Sequence, residues 1–260
     1  MTKIDTLLIT GSTRGLGRSL ALNFSKAGYF VYAVGRDANS LNELAQTSPL
    51  IQPIIANIST EEGREIIIKN MDKHKSISVI HNAAIADPSP FDVLPERLLR
   101  EHFETNFFSP ILISQQLLPQ ITKGQRILHV TSGAANLALS SLMPYCATKA
   151  ALEHATHCLN MELNSRGIYC ASLRPGMIDT EMQLKFRNSE KNILPNRDFY
   201  IDAEKENLLI KPEIVAEFVA WVILKTEDTE FSRTSWNIYD AKHHPAWLFS
   251  NGYSSLLGND

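Results

Sequence analysis

The chain is poor in everything that would mark a secreted, membrane-bound or nucleic-acid-binding protein. It holds 3 cysteines in 260 residues. Cys146, Cys158 and Cys170 are odd in number and twelve apart, which suits neither a disulfide framework nor the close pairs of a zinc site. They are expected to be small buried apolar residues. There is no basic excess, since 25 Lys+Arg face 28 Asp+Glu for a formal charge of −3. Nothing therefore gathers a phosphate backbone, and nucleic acid is not an expected partner. No apolar run approaches the roughly 18 to 20 residues that span a bilayer, and the N-terminal apolar stretch is too short for a signal peptide and has no small-residue cleavage site. The expectation is a cytoplasmic protein with no membrane partner. Linkers rich in Pro, Gly or Ser, internal repeats and low-complexity tracts are missing too, so residues 1–260 are read as one domain.

What is present is alternation. Short β-branched runs at Thr6–Thr10, Tyr29–Val34, Ile51–Ala56, Ser78–His81, Arg126–Thr131, Ile168–Leu173 and Ser235–Tyr239 are separated by segments of helical period, such as Leu16, Leu20 and Phe24, or Leu152, Thr156, Leu159 and Leu163. Strand alternating with helix predicts parallel pairing through right-handed crossovers. The fold class is α/β, a doubly wound parallel sheet of about seven strands with helices on both faces. Two stretches break the rhythm. Asp179–Lys211 is a long connection of mixed charge, expected to be a substrate lid or a mobile segment. The tail, Ala241–Asp260, carries Trp247, Leu248, Phe249, Leu256 and Leu257, and so much apolar surface predicts docking on its own subunit or a neighbour.

Directly after the first strand comes Thr10-Gly11-Ser12-Thr13-Arg14-Gly15-Leu16-Gly17, running into the first helix. Glycines let the backbone turn tightly and approach a ligand, while the helix N-terminus offers free N–H groups to a pyrophosphate. Alone, the pattern also fits a plain strand-to-helix turn; its place after strand one and before a helix is the context that a dinucleotide site demands. The second strand ends Val34-Gly35-Arg36-Asp37. A free ribose 2′-hydroxyl usually meets an acid here, whereas Arg36, with Arg14 in the glycine loop, suits a 2′-phosphate. That favours NADP(H) over NAD(H), although two solvated arginines would look the same and Asp37 stands next door.

Tyr145 and Lys149 lie at i and i+4 at the start of a helical pattern, neighbours on one face. A nearby cation favours phenolate and lowers a pKa of about 10, which fits a tyrosine for acid–base work. Ser132, at the end of the fifth strand, stands at the carboxyl edge where open α/β sheets bind ligands, and its hydroxyl could hold a carbonyl oxygen. It could equally be a turn cap.

Jointly these motifs, with Asn82-Ala83-Ala84, Asn106 and Pro175-Gly176, resemble the short-chain dehydrogenase/reductase family in order and spacing over roughly residues 4 to 240. The resemblance implies a Rossmann-type domain and a nicotinamide cofactor. It implies that Tyr145 is the general acid, that Lys149 holds the nicotinamide ribose and lowers the tyrosine pKa, that Ser132 orients the carbonyl and that Asn106 anchors a water. For the cofactor it implies the glycine loop from Gly11 to Gly17, Arg36, Asn57, Ile58, Asn82, Ala83, Ala84, Pro175, Gly176, Ile178 and Thr180. Departures stand beside it: Asn57 replaces the usual Asp at the adenine, leaving a carbonyl acceptor without charge; Ala84 replaces a Gly; and His81 replaces a frequent Asn.

Ala171–Gln183 resembles the subset of that family containing sepiapterin reductase and the benzil reductases. The substrate lining that this implies is Ala134, Asn136, Met143, Met177, Met182 and Phe186, an adaptable apolar wall. The expectation is an NADPH-dependent reductase of a ketone or vicinal dicarbonyl. The alternatives are an oxidative NAD(P)-dependent alcohol dehydrogenase and an idle NADP(H)-binding sensor. No metal is expected, since the adjacent His243 and His244 would point apart. The family commonly pairs through the helices that here hold Asn106–Ile121 and Tyr145–Ser165, implying a homodimer or homotetramer.

Overall fold

The computed structural model describes residues 4–72, 75–233 and 235–248. Seven strands form the sheet: β1 (Thr6–Thr10), β2 (Phe30–Gly35), β3 (Ile51–Ile55), β4 (Ser78–His81), β5 (Arg126–Val130), β6 (Tyr169–Arg174) and β7 (Ser235–Asn237). All pair in parallel, in the order β3-β2-β1-β4-β5-β6-β7. The helices are α1 (Gly15–Lys26), α2 (Ala38–Gln46), α3 (Glu61–Lys69), α4 (Glu96–Phe103), α5 (Ser109–Leu117), α6 (Met143–Leu163), α7 (Glu181–Arg187), α8 (Arg197–Lys205), α9 (Pro212–Lys225), α10 (Asp228–Arg233) and α11 (His244–Trp247). A π-helical turn, Glu104–Phe108, joins α4 to α5.

The strand period of two divides the core. Leu7, Ile9, Val31, Ala33, Leu128 and Leu173 face α1, α2 and α9 in one cluster. Leu8, Tyr32, Val34, Val79, Ile127 and Cys170 face α3, α5 and α6 in the other. With both faces covered, strands read as continuous apolar runs, as parallel sheets require. The chain builds outward from β1 to β3, then returns to place β4 on the other side of β1. That reversal opens a crevice at the carboxyl ends of β1 and β4, where the glycine loop lies.

Two expectations, for the cysteines and the paired histidines, are corrected, and the connection and the tail take definite form. Among the cysteines only Cys170 is buried, where desolvation pushes its thiol up to about 12; Cys146 is half-buried and Cys158 exposed. The connection 179–211 contains α7 and α8, which lie over a third apolar cluster that includes Ala134, Leu142, Tyr145, Phe186, Leu194 and Tyr200. Its ends are fastened together: Ile210 N–H donates to Met177 O at 2.8 Å and Asp179 N–H to Ile210 O at 2.9 Å, bridging Ile178 to Ile210. His243 and His244 do not point apart, because they sit in helical turns and bond successive carbonyls, Asn237 O at 2.9 Å and Ile238 O at 2.8 Å. In the tail, Trp247 and Leu248 are buried in the domain's own core, with Trp247 against Phe218. Phe249, Leu256 and Leu257 lie outside the described residues. Among the described residues no helix is long and apolar enough to cross a membrane.

Candidate active site

A cleft of about 1020 Å3 opens over the carboxyl ends of the strands, between the sheet and the 179–211 segment. Its floor is the glycine loop. Gly17 admits no side chain, since a Cβ there would lie 2.0 Å from Gly11 O and 2.6 Å from Asn82 Nδ2. The turn after β4 is fastened to this loop. Asn82 and Ala83 N–H both donate to Thr10 Oγ1 at 3.1 Å, and Asn82 Nδ2 donates to Thr10 O at 3.0 Å. Asn82 thus shapes the loop while bordering the cleft. The first turn of α1 has no side-chain cap, so its N–H groups are left for a ligand's anion. Gly11, Thr13, Arg14, Gly15 and Leu16 border the cleft; Ser12 does not. Ser12 faces inward, donating Oγ to Ile9 O at 2.8 Å and its N–H to Val34 O at 2.9 Å, which removes it from the expected cofactor set.

Arg36, Asn57, Ile58, Ala83, Ala84, Pro175, Ile178 and Thr180 all line the cleft. Arg36 has no ion-pair partner among the described residues, whereas Arg14 pairs with Glu181 at the start of α7. Asp37 is a helix cap: its Oδ1 accepts Ser40 N–H at 2.9 Å. Asn57 Oδ1 is not held out to an adenine as expected. It accepts from Ser59 Oγ at 2.9 Å and Ser59 N–H at 3.3 Å, which uses both lone pairs locally. Uncapped N–H groups, close glycine backbone and an unpaired arginine fit a phosphorylated dinucleotide.

Tyr145 and Lys149 project from the first turns of α6 toward β5. Lys149 is buried and donates Nζ to Val130 O at 2.7 Å, with Nζ 5.8 Å from the Tyr145 ring centre. Ser132 stands beside the Tyr145 phenol and its Oγ accepts Ala134 N–H at 3.2 Å, so it is both a cap and a neighbour of the tyrosine. Burial pushes the phenol above its ordinary value; Ser132 pulls it part of the way back, and Cys146 raises it further. Burial also brings Lys149 down to about 8. In the free protein, then, enclosure is the main influence on the tyrosine, and Tyr145 holds its proton at neutral pH.

Asn106 lies behind the cleft in the π turn, wholly buried. Its Oδ1 accepts Ile85 N–H at 2.8 Å, and Nδ2 donates to Ile85 O at 2.9 Å and Thr148 Oγ1 at 3.1 Å. The side chain thus ties the π turn to the segment after β4 and to α6. Gly176, at φ +77°, stands where a Cβ would meet Tyr239 Oη at 2.8 Å, and that hydroxyl accepts Met177 N–H at 3.1 Å.

Of the expected substrate residues, Ala134, Asn136, Met177, Met182 and Phe186 border the cleft. Met143 does not; it is exposed at the start of α6. Asn136, with its amide turned to face Arg174, accepts from Nη1 at 3.1 Å. Sequence reasoning missed Leu137, Leu142, Arg174, Gln183, Phe199 and Tyr200, which also line the cleft. The Phe199-Tyr200 pair was the available signal, two adjacent aromatics within an otherwise polar connection. Among the described residues no His/Cys/Asp/Glu group could hold a metal ion.

The short chain dehydrogenase model matches residues 5–191, and the chain belongs to that family. It is 33% identical over 184 residues to an L-xylulose reductase of Caenorhabditis elegans, covering 68% of this chain and 72% of that protein. It is 27% identical over 249 residues to a benzil reductase ((S)-benzoin forming) of Bacillus subtilis, covering 92% and 99%. The KRED1-Pglu enzyme superposes with a TM-score of 0.82 at 26% identity, over 90% of this chain and all of that one. The angucycline C-6 ketoreductase LanV, solved with bound NADP, has a TM-score of 0.76 at 22% identity over 90% and 93%, and shares the fold. The chain is an oxidoreductase acting on CH–OH or C=O groups.

Proposed function

We propose that this protein is an NADPH-dependent carbonyl reductase in which Tyr145 is the general acid, acting on an apolar ketone or vicinal dicarbonyl. The observation that carries this reading is a protonated, buried Tyr145 beside Ser132 in an apolar cleft, with Lys149 one helical turn away. Bound NADPH would supply hydride from nicotinamide C4 to the carbonyl carbon. Tyr145 and Ser132 stabilise the charge that grows on oxygen. The Tyr145 O–H bond breaks as the alcohol O–H bond forms, and the phenolate left beside Lys149 regains a proton from water. The uncapped α1 turn would hold the pyrophosphate, and Arg36 and Arg14 the 2′-phosphate. Asp37, engaged as a cap, supports the phosphorylated cofactor over NAD(H).

The relatives' names, L-xylulose reductase and benzil reductase, support carbonyl reduction, and the NADP bound to LanV supports the cofactor. The 179–211 segment would serve as the substrate lid. Exposed Phe108 and Met161, at 43% and 83%, support a homodimer or homotetramer through the faces of α5 and α6; a monomer by light scattering at micromolar concentration refutes that.

The test is the loss of reduced-nicotinamide absorbance with a panel of aromatic diketones, aliphatic ketones and pterins, with NADPH and NADH compared. Turnover is expected with NADPH, falling about 10²- to 10⁴-fold in Tyr145→Phe. Turnover confined to sugars or charged hydroxy acids refutes the substrate, and NADPH binding without turnover anywhere points to the sensor.

A further inference from the structure

The lid carries a second phenol, and it faces the first. Tyr200 comes from α8, and its ring rests against Phe186, with centroids 4.8 Å apart, and Phe199, 5.3 Å away at 80°. It shares one apolar cluster with Tyr145 and borders the same cleft. Tyr145 enters from α6 and Tyr200 from α8, and the charge of Tyr145 reaches Tyr200.

The Tyr200 hydroxyl has no hydrogen-bond partner among the described residues. The ring is buried, but the residue borders the cleft, so the hydroxyl is open to a bound molecule. Burial pushes Tyr200 up to about 12, with Cys146 and Tyr145 adding to the rise, so it stays a donor throughout the physiological range. Phenylalanine would fill the same aromatic stack, so the hydroxyl adds nothing to that packing. The hydroxyl is therefore the feature that packing leaves unexplained.

Tyr145 and Ser132 already serve the reacting oxygen from the sheet side. A further donor on the opposite wall, with apolar Leu142 and Phe186 around it, suits a second oxygen on the same ligand. We propose that Tyr200 donates a hydrogen bond to the oxygen adjacent to the reacting carbonyl, and so selects vicinal dicarbonyls and α-hydroxy ketones over simple ketones. This rests on the carbonyl-reductase reading above. A methylene in place of that oxygen would cover the hydroxyl and offer it no acceptor, and sites built around a hydrogen bond reject such analogues strongly.

A matched pair of probes tests it: benzil, and deoxybenzoin, which has the same two rings with one carbonyl replaced by CH2. In Tyr200→Phe, kcat/KM for benzil is expected to fall about tenfold, mainly through KM, with deoxybenzoin within about twofold of wild type. Equal losses on both probes, or none on either, overturn the proposal.

Calorimetry on the NADP+-loaded protein, where no reduction occurs, keeps the two readings apart. Wild type is expected to bind benzil more tightly than deoxybenzoin, and Tyr200→Phe to erase the difference. That result supports the proposal even if the turnover assay fails. No preference in wild type, or one that survives in the variant, overturns it even where turnover is brisk.

Discussion

His81 and His129 stand in register on neighbouring strands with their rings stacked, 11° from parallel and 5.0 Å between centroids. His81 Nε2 bonds Ser114 Oγ at 2.7 Å and His129 Nδ1 bonds Thr156 Oγ1 at 2.9 Å, while His129 Nε2 is buried without a partner. Neither ring can take a second proton cheaply. Burial is the main cause; it lowers His81 well below its ordinary value, with His129 contributing, and brings His129 to about 3, with the charge of Lys149 contributing.

The consequence is acid sensitivity. Below about 6.5 the unfolded chain binds protons that the folded one refuses, so stability, complete above that value, falls as pH falls toward 3. Each histidine contributes up to about 1.4 kcal/mol per pH unit in that window. Urea unfolding at pH 7.5, 6.5 and 5.5 checks this, and His129→Gln should remove about half the slope. A midpoint that ignores pH over that range contradicts it.

Arg126, buried at the start of β5, closes the end of α9. Nη1 donates to Val222 O and Ile223 O at 3.0 Å, and Nη2 donates to Thr226 O at 2.6 Å and Asp228 Oδ1 at 2.8 Å. Removing it strands the helix's last carbonyls. Arg126→Met is expected to cost about 3 kcal/mol, lowering Tm by about 6 to 12 °C by calorimetry.

Gly17→Ala drives a Cβ into Gly11 O. The loop must open, and the close backbone approach to a pyrophosphate goes with it. NADPH affinity, read by cofactor fluorescence, should weaken by about 100-fold or more, with the Tyr145 chemistry untouched in what remains bound.

Arg14 is shared between two anions in the proposed reading, Glu181 now and the 2′-phosphate when the cofactor binds. Both side chains are well exposed, at 68% and 61%, so the pair is worth under about 1 kcal/mol. Glu181→Gln should therefore tighten NADPH by about two- to fivefold and leave NADH unchanged. A loss of NADPH affinity would show that the acid helps position the arginine.

The sheet was legible because parallel strands buried on both faces leave unmistakable apolar runs; Thr6–Thr10 and Ser78–His81 fall where expected. So was the pairing of Tyr145 with Lys149, since helical spacing alone places them together. Met143 could have been rejected by the same arithmetic, for two residues turn a helix by about 200°, away from Tyr145. Ser12 could not, because its inward turn depends on Val34 O, a partner on another strand. The helices of the 179–211 segment were hidden by how little each buries: Phe186 in α7, and Tyr200 and Ala203 in α8. Such short polar helices are shaped by the surface they cover, which the sequence does not display. The rise in the Tyr145 pKa was equally out of reach, being a property of enclosure.

The bridge between Ile178 and Ile210 brings the two ends of the 179–211 segment side by side, so a longer connection between α7 and α8 is absorbed within the segment; by loop-closure entropy even a doubled loop costs only about 0.6 kcal/mol. The helices themselves are held along their length, by Glu181 on Arg14 and Lys185 on Asp87, and they cover Tyr145. In the proposed reading, exchanging the whole segment would therefore change ketone preference and the proton affinity of Tyr145 together.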